Sequence, residues 1–355
     1  MIDRRIFLQL SSGAAAGATA FAVPTAAVGA EGGTGPAPRR VHVAPGVETS
    51  LADPLRILRE RLELASGGRL LLSGAAADAA GAVDGSRDLI LSDEGEFADG
   101  EPLSLLLGGY PFNRLAGLLD VNVWLKGMGG QALWDMSAAR HGWKPLMIAM
   151  TARADVHVWR RPPDAPVAGR SERRVVATRA LRAPLEMVGV VPCEMNSADL
   201  VRAFEAGEID VFETDDPAIS LAAAERLGRR AEWIVGSLAG TGRVLSLRVP
   251  IAQWQGLSIA DRALMEAVAQ ETVVALHAIR RSHNSEIVRK IAQVYGRAPW
   301  RLPYDVRGAL TASATALLPS VGRDDPFFAQ ALITMAALTG APVNDDAASD
   351  TEPSA

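Results

Sequence analysis

Apolar and polar positions along the first 150 residues follow two periodicities, one typical of helices and one typical of strands. Short apolar runs at 40–44, 69–73 and 88–92 are typical of strands, and a glycine pair ends the intervening helical pattern. Apolar residues recur at a spacing that places them on one helical face at Leu51, Leu55, Leu58, Leu62 and Ala65. The order strand, helix, strand, weak helix, strand predicts a parallel α/β arrangement.

The same rhythm begins again after residue 151, which predicts a second lobe. A strand pattern at 242–249 then precedes a helical pattern that continues over about 258–295. We therefore predict lobe I from 40–151 plus 241–278, and lobe II from 152–240 plus 279–343. The repeated strands and helices of the second block are predicted at 154–160, 173–177, 181–189, 190–193, 198–205 and 209–212.

Both ends of the chain differ from this pattern. Arg4 and Arg5 precede Phe7 and an apolar run rich in alanine and glycine that ends near Ala30. This pattern predicts a twin-arginine-type signal peptide over 1–30, with an uncleaved membrane anchor as the alternative. Residues 31–39 are predicted to be a linker and 344–355 a disordered acidic tail. We therefore expect an exported, periplasmic protein.

Composition narrows the function further. The chain has 355 residues, 48% of them hydrophobic, so it can bury the cores of two lobes. Its net charge of −5 gives no basic footprint for nucleic acid. The single cysteine excludes an internal disulfide, and the five histidines lack metal-ligand spacing. No nucleophile motif is present, so we expect no enzyme.

One acidic cluster follows the strand pattern at 209–212. Glu213, Asp215 and Asp216 could hold a cation, act as acid and base, or begin the next helix. Asp216 followed by Pro217 is a pattern typical of a helix N-cap and first turn, which favours the last reading for the two aspartates. Glu213 remains a candidate site residue.

Several longer segments, in this order, resemble one receptor family. They include GGYPFNRLAGLLDVNVWLKGMGGQALWDM, HGWKPLMIAMTARADVHVWRR, GVVPCEMNSADLVRAFEAGEIDVFE and SLRVPIAQWQGL. Together these segments cover about 40–335 and resemble the solute receptors of tripartite ATP-independent periplasmic (TRAP) transporters, in particular the branch that binds 2-oxo acids and related carboxylates. Each segment alone is a weak signal, and their collinearity is the specific one.

The resemblance implies a two-lobed periplasmic-binding-protein clamshell of the α/β class. Mixed sheets, crossover strands and a long helix spanning both lobes belong to that fold, and hinge closure on a ligand is its working motion. The implied function is capture of a small organic acid for delivery to TRAP membrane permease subunits. A homodimer is left open. The alternative is a ligand-sensing or protein-interaction clamshell without a transport role, with an altered or lost ligand pocket.

The resemblance also implies candidate ligand contacts. Arg160 follows an aromatic residue at the crossover and matches one of the family's arginines. The other family arginine falls on Val176, which leaves Arg174, on the same strand face, and Arg179 as substitutes, or as ordinary surface arginines. Two further residues are expected to line the cleft, by their places at a strand end and in the Pro-Phe turn: Ser92 and Tyr110.

The metal-linked Glu-Trp pair of the family falls on Glu213 and Thr214, so only the glutamate is retained. The family's ligand glutamine falls on Ala154. Glu213 is thus the candidate for a cation such as Na⁺ or for a ligand hydroxyl, and no other cofactor is expected. Asp93 and Glu94, at another strand end, are read as loop surface or cleft lining.

Overall fold

The computed structural model describes most of the chain after residue 38. The described residues are 39–43, 48–74, 89–97, 100–111, 115, 117–151, 156–160, 173–177, 179–214, 217–236, 238, 242–296, 298–322 and 325–340. The predicted signal peptide, the acidic tail and Asp215–Asp216 lie outside them.

The strands, in chain order, are β1 (Arg39–Val43), β2 (Leu72–Gly74), β3 (Leu89–Asp93), β4 (Trp143–Met150), β5 (Val156–Trp159), β6 (Arg174–Val176), β7 (Val191–Cys193), β8 (Val211–Thr214), β9 (Glu232–Val235), β10 (Val244–Pro250) and β11 (Trp300–Arg301). The helices are α1 (Glu48–Ser66), α2 (Pro102–Leu107), α3 (Leu118–Gly127), α4 (Gly130–Ala139), α5 (Arg179–Met187), α6 (Leu200–Ala206), α7 (Pro217–Leu227), α8 (Ile251–Gln255), α9 (Ile259–Tyr295), α10 (Tyr304–Val321) and α11 (Pro326–Thr339). None of these helices combines the length and hydropathy that a membrane span requires.

The strands form two mixed sheets, one for each lobe. Sheet one has the order β2-β1-β3-β10-β4, and β10 runs antiparallel to both of its neighbours. Sheet two has the order β11-β9-β5-β8-β6-β7, and β5 runs antiparallel to β8 and β9. Within each sheet the strands joined by helices are parallel, as a βαβ pattern requires.

The chain crosses directly between the sheets from β4 to β5 and from β9 to β10, and α9 later carries it from sheet one to sheet two before β11. The two direct crossings are bonded to each other, because the Thr151 amide donates to the Arg243 carbonyl at 2.9 Å and the Arg243 amide donates to Thr151 Oγ1 at 2.8 Å. Gly242 has a φ of +104°, and a Cβ there would lie 2.3 Å from the Thr151 carbonyl oxygen. Only glycine allows this close approach.

Helix α9 runs along both lobes over 37 residues, as the sequence predicted. Its first half, including Met265 and Leu276, belongs to the apolar cluster under sheet one. Its second half, including Ile287 and Tyr295, belongs to a cluster under sheet two. Ser258 caps its start through a 3.0 Å bond from the Asp261 amide, so the helix boundaries follow local sequence signals.

Helices α10 and α11 bring the chain back to the first lobe. Val306 and Leu310 of α10 belong to the second lobe's cluster, whereas Ala314 belongs to the first lobe's. Phe328 and Met335 of α11 also pack in the first lobe. The predicted placement of all of 279–343 in lobe II therefore needs correction for the end of α10 and for α11, because their apolar faces are buried in lobe I.

Candidate functional site

The crossovers fix which strand ends face the boundary between the lobes. In sheet two, Val156 at the start of β5 pairs with Thr214 on one side and Val235 on the other. The ends of β8 and β9 therefore lie at the crossover edge. In sheet one, Leu245 pairs with Asp93, so the end of β3 lies at the corresponding edge. Ligands of open α/β folds bind outside such strand ends, which makes these two edges the candidate site.

Glu213 lies at the crossover edge of sheet two, beside a histidine that the sequence had not singled out. His157 pairs with Glu213 in the ladder, and its Nε2 is 3.9 Å from Glu213 Oε1. His157 is fully buried, and neither ring nitrogen makes a hydrogen bond of full geometry, although a backbone contact with Gly236 acts to raise its pKa. Burial lowers the pKa of His157, which the nearby Glu213 charge only partly opposes, so the ring is neutral near pH 7. A neutral imidazole offers one donor and one acceptor here.

Arg307 of α10 reaches the same edge. Gly236 follows β9 with a φ of +134°, and a Cβ there would lie 3.1 Å from Leu302 Cβ and 3.6 Å from Arg307 Nη2. The missing side chain thus lets α10 and its arginine approach the strand end. The charge of Arg307 is among the causes that lower the pKa of His157, after burial. Within the described part of the chain, no ion pair or side-chain hydrogen bond engages Arg307.

The predicted anion contacts Arg160 and Arg174 lie at the opposite edge of sheet two. Both are level with Asp210, three residues before Glu213 in β8, which is roughly 10 Å along a strand. Arg160 stacks on Phe204 at 4.6 Å and donates to the carbonyls of Phe204 and Ile209. Arg174 donates to the Gly207 carbonyl. The structure therefore does not bring either arginine together with Glu213; both serve the end of α6.

The remaining predicted contacts divide between the start of α5 and the first lobe's core. Arg179 is the first residue of α5, and its side chain lies outside the described part of the structure. The next residue, Ala180, belongs to the same buried cluster as Tyr110, so the start of α5 reaches the first lobe.

Tyr110 is buried and donates to the Ala314 carbonyl at 2.9 Å, and burial raises its pKa to about 12. Ser92 is buried and donates to the Asp93 carbonyl at 3.2 Å. The predicted cleft-lining role of Ser92 and Tyr110 is therefore corrected: both hydroxyls are used within the core.

The first lobe's edge holds a buried ionic network around Glu94, which the sequence left open as loop surface or cleft lining. Arg248 of β10 donates to Glu94 Oε2 at 2.7 Å and pairs with Glu101 Oε1 at 2.5 Å. All three residues are at most 4% exposed. Burial acts to lower the pKa of Arg248, but the two carboxylates outweigh it and raise that pKa. The alternation of Ser246 and Arg248 with apolar residues in β10 is the signal that would have located this network.

Glu213 is the one predicted cation ligand whose side chain the structure describes at this edge. Among the described residues, no group of three or more histidine, cysteine, aspartate and glutamate side chains could hold a metal ion. Calcium, a hard cation, takes six to eight oxygen ligands. The aspartates that could add oxygens, Asp215 and Asp216, lie outside the described residues. The donors described at this edge are one carboxylate beside a neutral imidazole.

Comparisons with known proteins address the fold. A TRAP periplasmic solute-binding protein from Colwellia psychrerythraea, with bound calcium and pyruvate, superposes with a TM-score of 0.72 at 14% identity, covering 85% of this chain and 94% of that one. A TRAP transporter solute-binding protein from Bordetella bronchiseptica, a mixed-occupancy dimer with copurified calcium and picolinate, gives 0.68 at 18%, covering 85% and 90%. A Bordetella pertussis extracytoplasmic solute receptor that binds pyroglutamic acid gives 0.65 at 14%, covering 84% and 99%.

No protein-family model matches this chain, and no curated protein matches it in sequence. At these identities the structural likeness establishes the fold. The predicted two-lobed α/β clamshell is therefore confirmed, and it is the fold of TRAP solute receptors.

Proposed function

We propose that this chain is an extracytoplasmic solute-binding protein of a TRAP-type importer that captures a small organic anion. The observation that carries the proposal is the fold, which is shared along nearly the whole length of receptors that hold pyruvate, picolinate or pyroglutamic acid. All three ligands are small carboxylates. A carboxylate is accordingly the ligand class proposed for this chain.

The two bonded crossovers support a capture mechanism without covalent chemistry. A ligand held between the crossover edges of the two sheets gains contacts from both lobes only when the lobes are closed. Ligand binding then shifts the population towards the closed form by its differential affinity for the two forms. The protein acts as a receptor in this proposal, and no enzymatic activity is assigned to it.

The proposed setting follows from the N-terminal sequence and the fold together. A twin-arginine-type signal over 1–30 would send the folded chain to the periplasm, where TRAP membrane permease subunits would receive the ligand. A cation such as Na⁺, bound together with the ligand near Glu213, belongs to the proposal, since solved receptors of this fold hold calcium or sodium together with pyruvate.

A clamshell that senses a ligand or contacts another protein without transport is the second candidate. The observation that favours it is the absence of the arginine expected to bind the ligand carboxylate. The family's arginine position is Val176 in this chain, and Val176 packs against an apolar cluster. Arg174, two residues before Val176, donates to the Gly207 carbonyl at the other edge of sheet two.

Thermal unfolding of the purified mature protein with a panel of small organic acids tests the proposal. A ligand at a hundred times its dissociation constant should stabilise the protein by about 2.7 kcal/mol. The amide of each acid is the control, since it has the same size without the charge. If no acid in the panel, nor any acid carried through purification, stabilises the protein, the transport proposal is wrong and the second candidate is favoured.

A further inference from the structure

Helices α5 and α10 lie across the boundary between the two lobes. One ridge of α10, made of residues four apart, is buried, with Val306 and Leu310 in the second lobe's cluster and Ala314 in the first lobe's. The two helices pack against each other, and residues Glu94–Phe97 of the first lobe lie against α5. Both lobes therefore hold this pair of helices. We call α5 together with residues 304–314 of α10 the strap.

The strap is attached to the two lobes unequally. Towards the second lobe both of its helices bury large side chains, such as Leu181 of α5 and Leu310 of α10. Towards the first lobe its buried members are two alanines, Ala180 and Ala314. Because hydrophobic stabilisation scales with the apolar area that is buried, the attachment to the first lobe is the weaker of the two. When the lobes part, the strap is expected to stay with the second lobe.

A buried tyrosine fastens the strap to the first lobe. The Tyr110 side chain is 1% exposed, and its hydroxyl donates to the Ala314 carbonyl at 2.9 Å. Its ring belongs to the same apolar cluster as Ala180 and Ala314. This hydrogen bond joins residues that are far apart in the chain, so it forms only when the strap lies against the first lobe. We call the contact between Tyr110 and Ala314 the clasp.

The chain just beyond the clasp is suited to bend. Pro319 lies in the last turn of α10, and since proline has no amide hydrogen it cannot donate to the Thr315 carbonyl. The Thr315 hydroxyl donates to the Thr311 carbonyl at 2.7 Å, a type of contact that often bends helices. Thr315 and Pro319 lie between Ala314 and α11, which packs in the first lobe. Bending here would let the strap move while α11 stays in place.

The outer side of α10 gives the strap room to move. Gly308, Ala312 and Thr315 are exposed there. A Cβ added at Gly308 would meet no atom within 4 Å. A helix that is buried on one face loses few contacts when part of it lifts, and such elements open at lower free energy than the core.

We propose that the strap holds the lobes closed before any ligand binds, and that the lobes open by breaking the clasp and bending α10 at Pro319. The inference goes beyond the proposed function, because it concerns the ligand-free protein and does not depend on a carboxylate. Opening exchanges the Tyr110 hydrogen bond for bonds to water, and closure restores it. The strength of the clasp then sets the open fraction, and with it the apparent affinity for any ligand that requires closed lobes.

Distances between the lobes of the ligand-free protein test this inference. Spin labels on Lys126→Cys in the first lobe and Arg202→Cys in the second report them by double electron–electron resonance, and both positions are exposed. Cys193→Ser removes the natural thiol of the chain from this labelled parent. The closed form is the population at the distance expected from the structure. We expect the parent to be mainly closed, and Tyr110→Phe to raise the ratio of open to closed forms about 5-fold, as loss of one hydrogen bond does.

Two further variants distinguish the clasp from a general effect on stability. Tyr304→Phe removes the hydroxyl of a tyrosine on the same helix that is 89% exposed, and it should leave the ratio unchanged. Pro319→Ala restores a donor to the Thr315 carbonyl and stiffens the bend, so it should lower the open fraction, both alone and in Tyr110→Phe. A loss of stability would not move the ratio in opposite directions.

Three outcomes would overturn the inference. They are a parent that is mainly open, a Tyr110→Phe variant with the ratio of the parent, and a Pro319→Ala variant with a raised open fraction. If Tyr110→Phe does not fold, Pro319→Ala decides the question. None of these outcomes touches the proposed function, which is tested by ligand binding.

Discussion

The crossover edges of the two lobes treat their buried polar groups in opposite ways. At the first lobe's edge, Arg248, Glu94 and Glu101 are all buried, and Arg248 is bonded to both carboxylates. At the second lobe's edge, His157 is just as deeply buried, yet neither ring nitrogen makes a hydrogen bond of full geometry, and its polar neighbours are Glu213, at 3.9 Å, and the Gly236 backbone.

The first lobe's network is closed on every side. Glu94 accepts from Arg248, from Ser104 at 2.7 Å and from Trp134 Nε1 at 3.2 Å. The Arg248 guanidinium also lies 3.4 Å from the centroid of the Phe97 ring. A buried charge set of this kind adds little to stability compared with apolar residues of the same shape, but it cannot lose one member without leaving an uncompensated charge.

The difference suggests a structural role for the first edge and leaves the second edge as the candidate for binding. A network whose donors and acceptors are all matched offers nothing to a ligand, and it holds the end of β3 in one place. At the second edge, the buried imidazole lies beside Glu213, and the exposed Arg307 lies at the end of β9. We therefore expect substitutions at the first edge to change stability, and substitutions at the second to change binding.

Arg248→Met should have the largest effect on stability. It leaves Glu94 and Glu101 buried without their cation, which costs on the order of 3–5 kcal/mol. Urea unfolding followed by circular dichroism measures the change. The matched variant at the other edge is Arg307→Met, which should stay within about 0.5 kcal/mol of the wild type because its side chain is exposed.

The double variant Arg248→Met, Glu94→Gln sharpens this result. It removes one of the two stranded charges and should recover part of the loss, which is the coupling expected of residues in contact. Equal destabilisation by Arg248→Met and Arg307→Met would contradict the comparison, because both edges would then be structural.

Gly242→Ala tests the link between the two edges and should have the second-largest effect. Its Cβ would lie 2.3 Å from the Thr151 carbonyl oxygen, and its φ of +104° is strained for alanine. Strain of this kind costs about 1–3 kcal/mol, and relief would require the two crossovers to part. Thermal unfolding measures the loss. Gly127→Ala is the control, since no atom lies within 4 Å of its Cβ position and alanine suits a helix. Unchanged stability in Gly242→Ala would mean that the crossovers are not held together as described.

The fold was predictable because its signals are local and repeated. The helical spacing of Leu58 and Leu62 predicted α1, and the long pattern beginning at Ser258 predicted α9. The order of strands then implied the two lobes, and the confirmed resemblance supplied the clamshell. The position of α11 was missed because an apolar helix face does not say which lobe will bury it.

The site was less predictable because its contacts join residues far apart in the chain. Arg160 and Arg174 looked like anion contacts from their positions, but each is used by backbone carbonyls at the end of α6. His157 looked like a structural histidine because its spacing carried no ligand motif. The pairing of β5 with β8 places His157 beside Glu213, and Gly236 lets Arg307 approach the same edge.

His157→Leu should have the smallest effect at neutral pH and a distinct effect in acid. Burial lowers the pKa of His157 in the folded protein, so below about pH 6.5 the unfolded chain binds the proton first. The stability of the wild type should therefore fall as pH drops from about 6.5 towards the lowered pKa, by at most about 1.4 kcal/mol per pH unit from this group.

His157→Leu removes that slope and, since it also removes two unmatched polar atoms, should be at least as stable as the wild type at pH 7. Urea unfolding at pH 7 and pH 5.5 measures both effects, with His283→Leu, on the exposed face of α9, as the control that leaves the slope unchanged. A marked loss of stability at pH 7 would show that His157 is held by partners inside the fold, which would give the second edge a structural role like that of the first.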